Sequence, residues 1–267
     1  MPVYNHFQLA KKYFHYYVTA ANGKGHGVHS PFVFDFVLSV LNNRHRYSAP
    51  SNIEALRTGL FNDKRSITVE DLGAGSRLHS AKEKNISQIA KSAVKPKKYG
   101  QLLYRLVKHY QPPTIIELGT SLGITTAYLA AANAKSTVIT IEGSEAISAI
   151  AQTNFKQLGL HNVQSLTGNF DLLLPQVLLP MPSIDMAYID GNHRLQPTLD
   201  YFHQLLSKTH NDTILIFDDI HWSKEMEEAW HHIQQHPSVT LSIDLFFIGI
   251  IFFRQEQKVQ QHFVIRF

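Results

Sequence analysis

Short apolar runs alternate with amphipathic helical patterns from residue 114 to residue 235. The apolar runs predict five strands, and the spacing of apolar residues between and after them predicts five helices. Strands that alternate with helices form a mainly parallel sheet with helices on both faces. The predicted strands are 114–118, 137–141, 163–167, 184–189 and 213–217, and the predicted helices are 124–133, 145–158, 170–178, 196–206 and 224–235.

The end of the chain has a different pattern. Two apolar runs, 239–246 and 248–254, are joined tightly near Gly249, which predicts an antiparallel hairpin. These two runs bring the number of predicted strands to seven. Residues 261–267 are predicted to add an extended tail.

The first 95 residues lack this alternation and predict helices instead. Ser30 followed by Pro31 predicts a helix start, with Ser30 as the N-cap and Pro31 at the first helical position. The sequence therefore predicts an α/β protein with a mainly helical N-terminal cap, 1–95, before a doubly wound domain, 96–267. The predicted helices before residue 114 are 8–21, 32–41, 51–60, 85–93 and 97–110.

Composition narrows the class of protein. Hydrophobic residues make up 44% of the 267 residues, which is enough for a sizeable core. The chain has no cysteine, which excludes disulfides, zinc–thiolate sites and cysteine nucleophiles. The N-terminus has no apolar signal core, and the longest apolar run, 245–253, is too short to span a bilayer. We expect a cytoplasmic protein without a membrane partner.

The net charge of +4 is only mildly basic. A nucleic-acid-binding domain usually carries a denser basic stripe, so nucleic acid is not the expected partner. The densest run, Lys95 to Lys98, follows Lys82, Lys84 and Lys91. It is either a solvated face or a region that attracts an anionic substrate or RNA.

Polar residues and glycines follow each strand of the predicted parallel sheet. Ligands of such sheets bind beyond the carboxyl ends of the strands. We therefore expect the binding residues in the segments that follow the five strands, namely 117–123, 142–143, 168–170, 190–193 and 218–222.

The segment from Glu117 to Gly123, with sequence ELGTSLG, has the form of a nucleotide-binding turn between a strand and a helix. Glu142 ends the next strand, 23 residues after Gly119, where an acidic residue can accept hydrogen bonds from ribose hydroxyls. The turn lacks the third glycine of a dinucleotide fingerprint, and no arginine or lysine stands near it in the sequence. The expected ligand is a nucleoside without phosphates.

At these residues the chain resembles the class I S-adenosylmethionine-dependent methyltransferases, over about residues 97–254. The lead-in helix that begins Lys98-Tyr-Gly-Gln, together with Asp190-Gly-Asn-His193, is similar to the catechol and caffeoyl-CoA O-methyltransferase group. The resemblance implies a Rossmann-like fold and S-adenosyl-L-methionine as cofactor. It implies that the cofactor is bound by Glu117, Gly119, Thr120, Ser121, Gly123, Glu142, Gly143, Gly168, Asn169, Phe170 and Asp190.

The same resemblance implies candidate residues for catalysis. Asp190, Asp218 and Asp219 stand where that group holds a divalent metal, and three oxygen ligands suit Mg²⁺. Asp219 departs from the group, which usually has asparagine there. Asp190 can alternatively face the methionine part of the cofactor or the methyl acceptor. His193 replaces a catalytic lysine and is the candidate general base, because a neutral imidazole can take a proton near pH 7.

Several assignments stay open from the sequence. His193 can be a solvated or supporting residue, and Glu117 can bind a methionine amino group or the amides of its own loop. His221 and Trp222 can line an acceptor pocket, or Trp222 can pack on the helix that follows. Residues 70–76, with sequence EDLGAGS, mimic the glycine turn, but no second strand with a terminal acid follows, so we interpret them as a turn that could fold over the site.

The leading function is methylation of a small molecule, most simply at oxygen. The alternatives are methylation of RNA or protein, and a non-catalytic protein that binds S-adenosylmethionine; a dehydrogenase is disfavoured by the missing phosphate fingerprint. A homodimer is compatible with the sequence.

Overall fold

The structure, a computed structural model, describes residues 3–24, 29–45, 47–69 and 82–267. Contacts divide the chain into two compact units. The terminal unit comprises Met1–Asn42 and Val177–Phe267, and the central unit comprises Asn43–Gln176. This division differs from the predicted boundary between residues 95 and 96, because the first 42 residues belong with the end of the chain.

Two helices open the terminal unit. The first, α1 (His6–Thr19), is aromatic-rich, as predicted. The second, α2 (Pro31–Phe36), begins after the N-cap Ser30, whose side chain accepts a backbone N–H, and Pro31 occupies its first turn. The helix continues into a π-helical turn, Val37–Leu41, so the single predicted helix over 32–41 changes its hydrogen-bonding pattern halfway.

The central unit opens with helices, as predicted. It also contains one antiparallel pair of strands that the sequence did not predict. Strand β1 pairs antiparallel with β2, with Ser66 opposite Asn85. The glycine turn at 70–76 falls between these strands and lies outside the described residues. The elements are α3 (Ala49–Asn62), β1 (Ser66–Val69), β2 (Lys82–Asn85), α4 (Ile86–Ala93) and α5 (Lys97–Tyr110).

The alternation of strands and helices begins at Thr114 and follows the predicted bounds closely. All residues of the strands β6 and β7 are buried, as expected for strands covered on both faces. The elements are β3 (Thr114–Leu118), α6 (Ile124–Ala132), β4 (Thr137–Glu142), α7 (Glu145–Gln157), β5 (Val163–Thr167), α8 (Phe170–Leu178), β6 (Met186–Ile189), α9 (Leu195–Leu206), β7 (Ile214–Asp218) and α10 (Lys224–Gln234).

In the central unit, β3, β4 and β5 are parallel neighbours. Glu117 of β3 lies opposite Thr140 of β4, and Glu142 at the end of β4 lies opposite Thr167 of β5. The carboxyl ends of these strands therefore share one edge, and the segments that follow them are brought together there.

In the terminal unit, β6 and β7 are parallel, and the predicted antiparallel hairpin is present. It consists of β8 (Leu241–Asp244) and β9 (Ile248–Phe252), with β9 between β7 and β8 and antiparallel to both. The predicted extended tail is a further strand, β10 (Gln261–Val264), parallel to β8. It adds one strand to the seven predicted. In the described part of the chain, every helix falls short of the length and apolar content that a bilayer-spanning segment needs.

Candidate functional site

The loop after β3 folds back onto the neighbouring strand of the central unit. The backbone N–H groups of Gly119 and Thr120 both donate to the carbonyl oxygen of Ile141, at 3.0 and 3.3 Å. The backbone φ is positive at Gly119 (102°), Ser121 (48°) and Gly123 (79°), so the chain reverses within five residues and enters α6. Glycine at two of these three positions lowers the cost of that turn.

The carboxylate of Glu142 is bonded to this loop. Its Oε2 accepts the backbone N–H of Ser121 at 2.8 Å, and its Oε1 accepts the N–H of Ser144 at 3.0 Å. The backbone carbonyl of Glu142 accepts the N–H of Gly168 at 2.9 Å. The backbone on both sides of Glu142 is thus bonded to its carboxylate, which fixes the position of this group.

Glu117 is fully buried beneath the loop. Its Oε2 accepts the hydroxyls of Thr140, at 2.6 Å, and of Thr126 in α6. The hydroxyls of Thr120 and Thr140 are also within 2.5 Å of each other. Partners of this kind offset the cost of burying a carboxylate. Three of the loop amides that the sequence suggested as partners, those of Gly119, Thr120 and Ser121, donate instead to Ile141 and Glu142.

Sequence reasoning missed Thr126 and Thr140, although one signal was available for Thr140. Thr140 is a polar residue between two apolar neighbours in β4 and is fully buried. Parallel pairing of 114–118 with 137–141 places it opposite Glu117. A buried hydroxyl opposite a buried carboxylate is a hydrogen-bonded pair.

Helix α7 supports the loop from the other side. The side-chain amide of Asn154 donates to the carbonyl oxygen of Leu122 at 2.8 Å. A Cβ on Gly123 would lie 2.5 Å from the ring of Phe155 and 3.2 Å from Ala151. The structure thus gives Gly123 a packing reason for being glycine, and its contact with a cofactor stays a prediction.

The remaining predicted cofactor residues of the central unit follow β4 and β5. Gly143 directly follows Glu142. Gly168 has a φ of 151°, and exposed Asn169 accepts the N–H of Asp171 on its side-chain oxygen at 2.8 Å, which caps the start of α8. Phe170, half-buried, is the first residue of that helix.

In the terminal unit, Asp190 and His193 follow β6 and form a pair. Nε2 of His193 lies 3.3 Å from Oδ1 of Asp190. The hydroxyl of Tyr188, a fully buried residue, donates to Oδ2 of Asp190 at 3.4 Å. The aspartate is thus placed between a phenol and an imidazole, and it can orient the histidine ring. Tyr188 was not among the predicted residues.

Asp218 is the last residue of β7 and Asp219 follows it, and the two side chains have different environments. Asp218 is fully buried, whereas Asp219 is half-buried with a φ of 54° and donates its N–H to the carbonyl oxygen of Phe247 at 2.7 Å. Within residues 3–24, 29–45, 47–69 and 82–267, no three acidic or histidine side chains are grouped as a metal site requires. The predicted set of Asp190, Asp218 and Asp219 does not fit a metal in this arrangement.

His221 lies between two carboxylates. Its Nδ1 is 3.0 Å from Oε1 of Glu227, and its Nε2 is 2.8 Å from Oδ2 of Asp244. Burial opposes protonation of the imidazole, but the hydrogen bonds with Asp244 and Glu227 outweigh burial and raise the pKa of His221 to about 9. Trp222 keeps 38% of its surface exposed.

Glu227 receives further donors. Burial raises the pKa of its carboxyl group, but hydrogen bonds from His221, Lys12 and Tyr4 prevail and lower this pKa to about 2. His221 therefore has an ionic role in the structure, whereas the sequence suggested a place in the lining of an acceptor pocket.

A separate cleft of about 620 Å³ in the central unit lies between α3 and the end of α7. None of the predicted cofactor residues lines it. The lining includes Leu56, Gly59, Leu60, Arg65, Asn154 and Gln157.

The matched family model, described as a methyltransferase domain, covers residues 116–220. A catechol O-methyltransferase from Niastella koreensis is 32% identical over 124 residues, which cover 45% of this chain and 55% of that protein. The chain therefore spans about half the length of this curated relative.

Solved structures share the fold of this chain. An O-methyltransferase from Bacillus cereus in complex with SAH superimposes with a TM-score of 0.55 at 20% identity, over 83% of this chain and 97% of that chain. An SAH-bound methyltransferase from Podospora anserina superimposes with a TM-score of 0.59 at 12% identity, over 96% of this chain and 98% of that chain. The predicted α/β fold is confirmed, as is the resemblance to the catechol and caffeoyl-CoA O-methyltransferase group.

Proposed function

We propose that this chain is an S-adenosylmethionine-dependent methyltransferase that methylates an oxygen of a small molecule. The methyltransferase-domain match and the similarity to a catechol O-methyltransferase support the reaction class. The observation that carries the proposal is the bond from the N–H of Ser121 to Glu142, because it joins the glycine loop to the strand-end acid.

We assign binding of the methyl donor to residues of the central unit. The carboxylate of Glu142 is held by Ser121 and Ser144 at the end of β4, where an acidic residue of this fold can accept hydrogen bonds from ribose hydroxyls. Asn169 and Phe170 stand at the end of β5, where an adenine ring would be contacted. No basic side chain stands in the sequence of the loop Glu117–Gly123, which suits a donor without phosphates.

The donor supplies a methyl group on a sulfonium sulfur, already attached to a good leaving group. The protein's task is then to position the acceptor oxygen and to take its proton. Asp190 faces Nε2 of His193, which favours a proton on that nitrogen and a lone pair on Nδ1. We assign His193 as the general base and Asp190 as the residue that orients it.

A divalent metal could lower the pKa of the acceptor instead. Asp190, Asp218 and Asp219 would be its ligands, as the family resemblance implies, but these residues do not form a metal cluster among the described residues. We therefore assign the proton transfer to His193, and the experiment compares turnover with and without Mg²⁺.

The decisive experiment is calorimetric titration of the protein with S-adenosylmethionine and, separately, with NAD. We expect binding of S-adenosylmethionine alone, and binding of NAD alone would overturn the assignment. Turnover is then measured as release of S-adenosylhomocysteine on a panel of catechols and other phenols, with Mg²⁺ and with EDTA. Donor binding without turnover on the panel would favour a non-catalytic protein. Loss of turnover in EDTA would show that a metal activates the acceptor hydroxyl.

One observation favours a second candidate, methylation of RNA. Five exposed lysines lie along β2, α4 and the start of α5, namely Lys82, Lys84, Lys91, Lys97 and Lys98. Electrostatic binding of a polyanion would weaken steeply with salt. A gel-shift titration with a structured RNA at low and physiological salt tests this candidate, which fails if binding is absent at both.

The cytoplasmic location and a homodimeric state belong to the same proposal. The mild net charge of +4 is compatible with both and selects neither. Analytical ultracentrifugation at several concentrations gives the oligomeric state, and cell fractionation gives the location.

A further inference from the structure

The N-terminal segment is bound at the end of β7. Val3 forms an antiparallel bridge with Ser223, and the N–H of Tyr4 donates to the carbonyl oxygen of Trp222 at 3.2 Å. Helix α1 follows directly. Residues at the very start of the chain thus complete the backbone hydrogen bonding of a strand-end loop more than 200 positions later.

Side chains reinforce this backbone contact through one carboxylate. Glu227 accepts the hydroxyl of Tyr4 at 2.7 Å and the ammonium of Lys12 at 2.9 and 3.0 Å. The same carboxylate pairs with His221, whose other nitrogen pairs with Asp244. We call these five residues, Tyr4, Lys12, His221, Glu227 and Asp244, the N-terminal clamp.

The clamp is partly removed from water. The exposed fraction of the side chain is 8% for Asp244 and 23% for His221. Hydrogen bonds to charged groups in such surroundings contribute more than exposed ion pairs do.

An aromatic cluster backs the clamp. The ring of His221 stacks on Phe246 at 5.1 Å, and Tyr13 of α1 meets the same phenylalanine edge-on at 5.0 Å. Tyr16 adds a third ring at 5.3 Å from Phe246, and its hydroxyl donates to the carbonyl oxygen of Ile265 at 2.5 Å. Helix α1 is therefore fixed to the unit along its length, and not only at its first residues.

The clamp holds the loop that carries the predicted acidic and aromatic residues after β7. Asp219 donates its N–H to Phe247 and accepts the N–H of Trp222 on its carbonyl oxygen, at 2.7 and 2.9 Å. His221 stands between these two residues. The imidazole of His221 is bonded on both nitrogens, and its partner Glu227 also accepts the ammonium of Lys12, so this carboxylate joins the loop to α1.

We propose that the N-terminal clamp is a positioning element for acceptor binding: it makes the segment Val3–Thr19 part of the machinery that sets the loop Asp219–Ser223. The inference rests on the proposed function, since strand-end loops of this fold are where ligands bind. None of the five clamp residues is assigned to the donor or to proton transfer. Their effect on turnover would be exerted through the loop.

The test uses the full-length double variant Tyr4→Phe with Lys12→Ala, which removes two donors to Glu227 and keeps the aromatic ring of residue 4. Lys11→Ala, an exposed neighbour on α1, is the matched control. Amide hydrogen exchange by mass spectrometry should accelerate at least tenfold in residues 219–223 of the double variant. It should be unchanged in residues 119–123 and unchanged throughout the control.

The kinetic readout separates positioning from general destabilisation. With an acceptor found in the phenol panel, the KM for that acceptor should rise at least fivefold, while the dissociation constant of S-adenosylmethionine stays within twofold. Restoring a cation with Lys12→Arg in the Tyr4→Phe background should recover most of the KM.

Unchanged exchange in 219–223, or faster exchange without a change in KM, would overturn the positioning role. An equal effect of Lys11→Ala would do the same. Failure of the wild type to bind S-adenosylmethionine would instead remove the proposed function, and the exchange measurement would still decide whether the clamp holds the loop.

Discussion

The backbone N–H of Ser121 donates to Oε2 of Glu142 at 2.8 Å and joins the loop after β3 to the end of β4. The two residues come from neighbouring parallel strands, so the bond depends on the pairing of β3 with β4. It makes the acid that would bind a ribose part of the loop that would carry the adenosyl group. In the proposed function, binding of the donor would therefore be linked to the shape of the loop through one carboxylate.

Replacing this carboxylate by an amide tests that link. We expect Glu142→Gln to weaken binding of S-adenosylmethionine by roughly 10- to 100-fold, because hydrogen bonds to a charged group are worth about 1.5–3 kcal/mol. Isothermal titration calorimetry measures the change. Glu145→Gln, an exposed acid in the first turn of α7, is the control and should bind as the wild type does. Equal affinity of both variants would exclude Glu142 as a donor-binding residue.

A single methyl group added at Gly123 should lower the free energy of unfolding. Its φ is +79°, and a Cβ would lie 2.5 Å from Phe155, so Gly123→Ala strains the backbone and collides with a ring. We expect a loss of roughly 1–3 kcal/mol in the free energy of unfolding, measured by urea denaturation. A stability equal to that of the wild type would mean that α7 can move away from the loop.

Gly59 offers the opposite case within α3. A Cβ there meets nothing within 4 Å, and the residue lies inside the helix. We expect Gly59→Ala to stabilise the protein by roughly 0.5–1 kcal/mol, because alanine loses less backbone entropy on folding than glycine. The same denaturation series measures both glycine variants, and a destabilised Gly59→Ala would contradict the open space beside α3.

The N-terminal clamp predicts a pH dependence of stability. The pKa of His221 is raised from 6.5 to about 9, so its contribution is fully present below pH 6.5 and is lost as pH rises through about 9. The pKa of Glu227 is lowered from 4.5 to about 2, so its contribution is lost as pH falls from about 4.5 toward 2. The clamp should stabilise the protein most between these windows.

Comparison of the wild type with His221→Gln isolates the upper window. The difference in the free energy of unfolding should shrink by up to roughly 3 kcal/mol between pH 6.5 and pH 9. Urea denaturation at five pH values gives this difference. A difference that stays constant over the range would show that His221 does not titrate there.

The Asp190–His193 pair predicts a pH-dependent rate. We expect His193→Gln to lower kcat by roughly 100- to 10,000-fold, the usual contribution of a general base, and to remove the rise of the wild-type rate over the range where imidazole titrates. Asp190→Asn should lower kcat as well, because the neutral amide is a weaker acceptor than the carboxylate and can present its NH₂ group to the ring, which favours the other tautomer. Methyl transfer assays over pH 5–9 measure both, with Asp200→Asn on the exposed side of α9 as the control. A pH profile that survives in His193→Gln would remove the histidine from proton transfer.

The alternation of strands and helices was readable from the sequence because it depends on local periodicity. Helix α5 (Lys97–Tyr110) and strand β3 (Thr114–Leu118) begin and end at the predicted residues. The N-cap Ser30 was also predicted correctly, since a cap involves residues a few positions apart. The π-helical turn that follows α2 was not, because side-chain spacing does not distinguish α from π hydrogen bonding over five residues.

The candidate site was predictable only in outline. The strand ends and their acids followed from the pattern, but the partners of each acid did not. Thr140 becomes a partner of Glu117 through strand register, and Phe155 makes Gly123 necessary through helix packing. The histidine that the sequence placed near an acceptor is instead held by Glu227 and Asp244.

What the sequence by itself determined was the order of the elements, the strand-end positions of the polar residues, and the glycine loop with Glu142 after it. These features are set by residues within a few turns of each other. Only the tertiary structure decided that Val3 and Tyr4 complete the loop after β7, and that β10 pairs with β8. Those contacts join residues far apart in the chain, and they form because burial and hydrogen-bond pairing select one arrangement among many that the local pattern permits equally.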